Sequence, residues 1–348
     1  ATLAADLARL ALRGHSARGA WRALGGRVDW VYERFALFQA LGAPFARHGV
    51  PWILETNALL ADEALRERQS VVLHRTAARL ERAAYHACDV VVVVSQELAD
   101  RLVTVMAVPR EKILVVPNGV DVDRFDPARV RPLVPSPWPE AGAAPGARVV
   151  RVAYAGSLVA WQGLDALLAA MQRVASAGVV VQLVLAGEGP ERTALERHAV
   201  TLGVDDRVRF LGRVSPDDIP AMLAAADVCY VGHVELGAGA GAFRSPLKLY
   251  EYLAAGKPVV ASAVPDAVAT ITDGETGYLF PPGDVEALAD ALRRADADRD
   301  RWPAMGARAR AGAVADHGWT ARVERMIDGI AGVLSDAAHG GPMAGRRS

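Results

Sequence analysis

Short apolar runs alternate with stretches of helical periodicity along almost the whole chain, the pattern of an α/β protein with parallel sheets. In the first part the candidate strands are Trp30 to Tyr32, Trp52 to Glu55, Val90 to Val94 and Ile113 to Val116, and the spacing predicts one long helix from Asp62 to Ala87. From residue 149 the alternation sharpens. Strands Val149 to Ala155, Val179 to Ala186, Val208 to Leu211 and Val228 to Val231 are separated by helices Gly163 to Ala175, Pro190 to Leu202 and Pro216 to Ala226. Strand Pro258 to Ala261, a short helix near Pro265, strand Gly277 to Phe280 and helices from Asp284 follow. This is the order of a doubly wound domain, in which ligands bind at the carboxyl ends of the strands. The loops after 155, 186, 211 and 231 are therefore expected to converge with the 237–248 loop.

Between the two parts, Arg131 to Arg148 carries five prolines in eighteen residues, which suits an interdomain linker better than a helix or a ladder. The expected domains are 1–130, a partial N-terminal Rossmann-like domain; the linker 131–148; and 149–317, a C-terminal Rossmann-like domain. A helix over 318–336 has the option of packing back on the first domain, and the small, polar, Gly-rich 337–348 is expected to be disordered. The chain opens without Met and in mid-helix, with Leu3, Leu7, Leu10 and Ala11 at helical spacing. Hence the first strands of the N-terminal domain are expected to be missing.

Composition narrows the class. A chain of 348 residues suggests two domains, and 52% hydrophobic with 23% charged residues is globular. A net charge of -1 gives no support for nucleic-acid binding and points to small-molecule partners. Cys88 and Cys229 lie far apart beside apparent strands, so they read as reduced core residues of a cytoplasmic protein, with no disulfide expected. No apolar run reaches the roughly 18 residues of a membrane span.

Charge then singles out one segment. Lys and Arg total 39, of which only Lys112, Lys248 and Lys257 are lysine, and the last two share the run Arg244-Ser-Pro-Leu-Lys-Leu-Tyr-Glu-Tyr-Leu-Ala-Ala-Gly-Lys-Pro-Val-Val-Ala261. It reads as a helix with Ser245 as N-cap, Pro246 at the first helical position and Gly256 as the left-handed stop. The loop Gly237-Ala-Gly-Ala-Gly-Ala242 feeds a helix N-terminus that favours an anion. Lys248 adds a mobile charge in the first turn, and Glu251 lies one turn on along the same face. A cation for phosphate and a carboxylate for sugar hydroxyls in that order are the layout of a nucleoside-diphosphate site. Lys257, at the helix exit, is expected to be structural.

Three further strand-to-helix turns accompany it: Ala155-Gly-Ser-Leu-Val-Ala-Trp-Gln-Gly163, Ala186-Gly-Glu-Gly-Pro-Glu-Arg192 and Phe210-Leu-Gly-Arg-Val-Ser-Pro-Asp218. Gly156 and Gly187 let a ligand approach the backbone closely, although any α/β connection can look alike. In the first part, Tyr32-Glu-Arg34 and Glu55-Thr-Asn57 sit at strand ends and serve equally well as polar loops. His48, His74 and His86 have no evident partners and read as structural.

The segment from Arg148 to about Ala295, with Val115-Val-Pro-Asn-Gly-Val-Asp-Val-Asp-Arg-Phe125 ahead of it, resembles the retaining nucleotide-sugar glycosyltransferases of family 4. The resemblance rests on motifs in order: Pro117-Asn-Gly-Val-Asp121 with Phe125, the Gly156 to Gly163 loop, Gly187-Glu-Gly-Pro190, Phe210-Leu-Gly212, and Lys248…Glu251…Gly256-Lys-Pro-Val-Val-Ala-Ser262. Asp273-Gly-Glu-Thr-Gly-Tyr-Leu-Phe-Pro-Pro-Gly-Asp284 completes it. It implies the GT-B fold, two Rossmann-like doubly wound domains facing across a cleft, the N-terminal one incomplete here. The implied activity is transfer of a sugar from a nucleoside-diphosphate-sugar donor to an acceptor with retention, the donor's own phosphate taking the acceptor proton. Neither a metal nor a cofactor beyond the donor is implied.

Carried over by position, the second glutamate of the family's pair falls on Glu251, as ribose ligand, and the first on Phe243. The family's arginine and lysine on the donor phosphates fall on Ser157 and Gln162, so both cations are absent, and Lys248, Arg244 and the helix N-terminus are expected to take over part of that load. Lys248 and Glu251 are thus the expected catalytic residues. The donor set comprises Gly156, Ser157, Gln162, Gly163, Gly187, Glu188, Arg213, Val214, Arg244, Ser245, Pro246 and Leu247 with those two, and Glu55 and Asn57 are acceptor-side candidates. The acceptor is left open among sugar, lipid-linked and small-molecule classes, with peripheral contact at the inner face of a membrane as an option that the net charge does not favour. The departures at Phe243, Ser157 and Gln162 keep two other readings open, an inactive nucleotide-sugar-binding scaffold and a GT-B epimerase.

Overall fold

The computed structural model describes residues 2–25, 27–66, 70–139, 149–234 and 246–339, which fall into two compact units. The first comprises described residues up to Pro117 together with those from Arg322 on, and the second runs from Asn118 to the residue before Arg322.

The first unit holds four parallel strands in the order β1 (Val31–Arg34), β2 (Trp52–Thr56), β3 (Val90–Val93) and β4 (Ile113–Val115). Four consecutive valines make β3 fully buried, as a parallel strand covered on both faces requires. Alternation sends Val91 and Val93 toward Leu54, Tyr85, Leu98 and Leu102, while Val90 and Val92 join Ile53, Met326 and Ile330 on the other face. Met326 and Ile330 belong to the last helix (Trp319–His339), which from Arg322 on is part of this unit.

The long helix expected over Asp62 to Ala87 is instead two, Leu60–Arg66 and His74–Ala87. The reason is tertiary. Asp6, buried in the first helix (Leu3–Leu24), accepts the backbone amides of Val72 and Leu73 at 2.7 and 2.9 Å, and those amides are thereby lost to a continuous helical ladder.

The second unit is a six-stranded parallel sheet: β5 (Val149–Ala155), β6 (Val180–Ala186), β7 (Val208–Gly212), β8 (Val228–Val231), β9 (Val259–Ser262) and β10 (Gly277–Phe280). The spatial order is β10-β9-β8-β5-β6-β7, so the chain starts at the centre, builds outward through β7, and returns to start the other half at β8. That reversal between β5 and β8 is the switch point at which doubly wound sheets bind ligands. Val150, Val152 and Tyr154 of β5 face one core, with helix Leu164–Ala175 and helix Val285–Ala297. Ala153 faces the other, with Leu249, Tyr252 and Leu253 of helix α9 (Leu247–Ala254).

Residues 118–139, divided in sequence between the first domain and the linker, pack on this second unit. Val120, Phe125 and Trp138 are buried in its core, the Trp138 indole N–H donates to the Ala225 carbonyl at 3.0 Å, and Gln182 donates to the Pro139 carbonyl at 2.9 Å. Proline supplies an extended path, and the large apolar side chains fix it to the surface. The remainder of the expected linker, 140–148, and the end of the expected tail, 340–348, lie outside the described residues.

Candidate functional site

The site is built on bare backbone. At the carboxyl end of β5 the Gly156 amide donates to the Ala186 carbonyl at 2.9 Å, and at the end of β6 the Gly187 amide donates to the Gly212 carbonyl at 2.7 Å. The loops after three neighbouring strands are thereby stitched edge to edge. Gly187 has φ +146°, and a Cβ there would stand 1.9 Å from the Gly156 carbonyl oxygen, so no side chain fits.

Above this floor lies a cavity of about 520 Å³. Its walls include Arg124, Phe125, Ser157, Glu188, Arg213, Val214, Pro216, Ile219 and Glu251, so two guanidinium groups and two carboxylates meet in one concavity. Arg124 is held by a turn in which the Asp121 carboxylate accepts the amides of Asp123 and Arg124 at 3.2 and 3.0 Å, and its guanidinium donates to Asp217 at 2.9 Å. Glu188 pairs with Arg192 at the start of the following helix.

Glu251 and Lys248 project from α9. That helix begins one residue later than expected: Pro246, with ψ 101°, stands at the N-cap position itself and offers no side-chain cap. Its end is as read. Gly256 has φ +66°, and the Gly256 and Lys257 amides donate to the Leu253 and Tyr252 carbonyls at 2.9 and 3.1 Å, a Schellman stop. Lys257 Nζ then donates to the carbonyls of Ala224 and Ala226 at 3.0 and 2.7 Å, where it satisfies the end of helix Ile219–Ala224.

Burial raises the Glu251 carboxyl above the usual carboxylate range, against the pull of Arg124 and Lys248. Among the described residues none hydrogen-bonds that carboxylate, which is therefore available to a ligand. Lys248 departs from the mobile charge expected of it. Its Nζ donates to Gln162 Oε1 at 2.8 Å and to Tyr154 Oη at 3.0 Å, and burial depresses its pKa to about 7, Glu251 acting in the opposite sense.

Of the residues expected from the sequence, the structure brings Gly156, Ser157, Gly187, Glu188, Arg213, Val214 and Glu251 to one wall-lined space. Gln162 is off the wall and contacts Lys248, while the Gly163 carbonyl accepts from the Tyr230 hydroxyl at 2.8 Å. Pro246 and Leu247 are also off the wall, Leu247 being exposed. Arg244, Ser245, Phe243 and the 237–242 loop lie outside the described residues. Arg124, Phe125, Pro216, Ile219 and Tyr154 were not anticipated as site residues. Arg124 and Phe125 had a signal, since they end the Pro117 to Phe125 motif, whereas Tyr154 had none beyond its place in a strand.

In the first unit, Glu55 is not free for a ligand. It accepts from the Tyr32 hydroxyl at 2.7 Å and from the Arg322 guanidinium at 3.1 Å, whose Nε donates to the Pro117 carbonyl at 3.0 Å. Asn57 keeps an Oδ1 without a partner among the described residues. Among the described residues no group of three or more His, Cys, Asp or Glu is arranged to hold a metal, and no helix is long and apolar enough to cross a membrane. Cys88 and Cys229 are free and buried, and burial pushes both thiols up to about 12.

Two Rossmann-like units of parallel strands define an α/β protein of the GT-B class, and solved structures share the fold. The Anabaena protein HepE in complex with UDP matches with a TM-score of 0.69 at 20% identity, covering 93% of this chain and 82% of that one. A glycosyltransferase from Rickettsia africae ESF-5 matches with a TM-score of 0.68 at 18% identity, covering 92% and 81%. Residues 150–298 match the family model of glycosyl transferases group 1, and residues 4–124 match that of glycosyltransferase family 4; the chain belongs to this glycosyltransferase family. The GDP-mannose-dependent alpha-(1-6)-phosphatidylinositol monomannoside mannosyltransferase of Mycobacterium tuberculosis is 32% identical over 250 residues, 72% of this chain and 63% of that one. The D-inositol 3-phosphate glycosyltransferase of Nocardia farcinica is 31% identical over 271 residues, 74% and 56%. The chain therefore matches less than two thirds of the length of either relative.

Proposed function

We propose that the chain is the catalytic part of a glycosyltransferase that moves a hexose from a nucleoside-diphosphate donor to a hydroxyl acceptor with retention at the anomeric carbon. The observation that carries this reading is the cavity on the Gly156, Gly187 and Gly212 backbone with the Glu251 carboxylate, unbonded among the described residues, on its wall. Glu251 accepts the ribose hydroxyls, the amides at the start of α9 face the diphosphate with Lys248 against Gly156, and the loop from Gly212 to Val214 borders the base. Arg124 and Arg213 add positive charge to the same wall.

In this reading catalysis comes from positioning and from stabilising charge on the departing diphosphate. As the sugar leaves, a phosphate oxygen of the donor takes the acceptor's proton, and the acceptor oxygen bonds to the anomeric carbon on the face from which the diphosphate departs. No carboxylate pair is required. The mannosyltransferase relative favours GDP-mannose as donor, and both relatives favour an inositol-bearing acceptor such as a phosphatidylinositol mannoside. Asn57, at a strand end in the first unit, remains the acceptor-side candidate, while Glu55 acts as an internal ion-pair partner.

Thermal shift against GDP, UDP, GDP-mannose and UDP-glucose, followed by transfer of labelled mannose to phosphatidylinositol acceptors, tests the reading. Stabilisation by a nucleoside diphosphate and its sugar, with transfer, is expected. Absence of stabilisation by every nucleotide would refute a donor site, and binding without transfer or hydrolysis would leave a nucleotide-sugar-binding protein.

A further inference from the structure

Resting on the donor reading of the cavity, we infer that Tyr154 and Gln162 are positioning residues: they hold the Lys248 amine behind the gap left by Gly156, where it takes up a proton together with the diphosphate.

The geometry is specific. The point where a Gly156 Cβ would stand is 2.7 Å from Lys248 Nζ and 3.0 Å from Tyr154 Oη, and Gly156 itself lines the cavity. The missing side chain leaves room for the amine directly against a residue of the cavity wall. The amine donates to Gln162 Oε1 at 2.8 Å and to Tyr154 Oη at 3.0 Å, the latter beside the gap, and the Tyr154 hydroxyl donates to the Ser157 carbonyl at 2.7 Å. Two acceptors satisfy the two N–H groups of a neutral amine. Apart from the face of the Tyr154 ring, 4.2 Å from Nζ to its centroid, the third N–H of an ammonium has no acceptor among the described residues, and a phosphate oxygen against Gly156 would supply one.

The ionisable groups at hand agree. Tyr154 on β5 bonds the amine, Tyr230 on β8 and Tyr252 on α9 interact with Tyr154, and burial holds all three hydroxyls neutral. Glu251, one turn along α9, is the acidic group coupled to Lys248, and burial raises its own pKa. The pocket thus disfavours a lone ammonium and accepts one when an anion arrives, with the proton drawn from solvent: R–NH2 plus H⁺ gives R–NH3⁺. This also gives Gln162 a role at a position where a permanent cation would repel Lys248.

With only three lysines in the chain, selective 13C,15N-lysine labelling gives few signals, assigned by Lys112→Arg and Lys257→Arg, and the Lys248 Cε shift can be titrated in solution. In the free wild type Lys248 is expected to titrate near neutrality. In Gln162→Glu it should titrate at least ~2 units higher, because a carboxylate replaces the amide at 2.8 Å. Tyr154→Phe and Gln162→Leu should each lower the fraction protonated at pH 7. Saturation with GDP should raise the wild-type titration, and proton uptake measured calorimetrically in buffers of different ionisation enthalpy should approach half a proton per GDP at pH 7, falling toward zero in Gln162→Glu. A Lys248 titration alongside Lys112 in the free wild type would overturn the inference whatever the nucleotide does. A titration near neutrality unmoved by any nucleoside diphosphate would instead overturn the donor reading, and the coupled proton uptake with it.

Discussion

Gly187→Ala tests the floor of the site by steric means. At Gly187, φ +146° lies outside the regions open to an L-residue, and the new methyl would stand 1.9 Å from the Gly156 carbonyl oxygen and 2.9 Å from its carbon. Backbone strain of this kind costs about 1–3 kcal/mol. Forcing a methyl into a filled space costs about another 1–3 kcal/mol, because the Gly156 loop must retreat while its amide remains bonded to Ala186. The sum is about 2–6 kcal/mol. Gly203→Ala is the control: φ there is +64°, and nothing lies within 4 Å of an added Cβ, so only the left-handed penalty of about 1–2 kcal/mol applies. Native-state hydrogen exchange, read on peptides of β5 and β6, reports the second unit separately from the first. Gly187→Ala should lose more protection than Gly203→Ala, by about 2.5 kcal/mol at the middle of the ranges, and should weaken nucleotide binding, which Gly203→Ala leaves unchanged. Equal losses in the two variants would refute the close approach of the loops.

Three other outcomes follow. Because folding lowers the Lys248 pKa to about 7 from 10.5, the unfolded chain binds more protons between those values, and this group's contribution to stability rises with pH across pH 7–10.5. A bound diphosphate raises that pKa, so affinity falls as pH rises above 7. By pH 9 the loss is roughly 50-fold relative to pH 7, and Lys248→Met should flatten the profile measured by calorimetry. Glu251→Ala should weaken nucleotide binding by about 10–100-fold and erase discrimination against 2′-deoxy and 3′-deoxy nucleotides, since hydrogen bonds to a charged group contribute about 1.5–3 kcal/mol; retained discrimination would remove Glu251 from the ribose. Arg322→Met leaves Glu55 in a site where its side chain is 13% exposed, and should destabilise the first unit by about 3–5 kcal/mol, with much of the loss recovered in the Glu55→Gln/Arg322→Met double variant; an unchanged melting temperature would contradict the buried pair.

Much of the fold was legible because its signals are local. The valine run of β3, the alternation of strand and helix from residue 149 and the left-handed stop at Gly256 each act through neighbours in sequence. The glycine loops and Glu251 were readable for the same reason, as turns and helix positions at fixed offsets. What sequence concealed depends on distant partners. The helix break before His74 is set by Asp6, the burial of Trp138 by Ala225, and the engagement of Glu55 by Arg322, which lies 267 residues away. Lys248 is the clearest case. Its place in a first turn predicted a solvated cation, but Tyr154 and Gln162 accept from it only across the folded sheet, and burial there depresses its pKa to about 7.

Hydrogen exchange of the chain with and without saturating GDP tests the donor site most directly. New protection is expected in peptides covering the ends of β5, β6 and β7 and the first turns of α9, around Gly156, Gly187, Gly212 and Glu251. Saturable binding of GDP that leaves those four segments unprotected would contradict it.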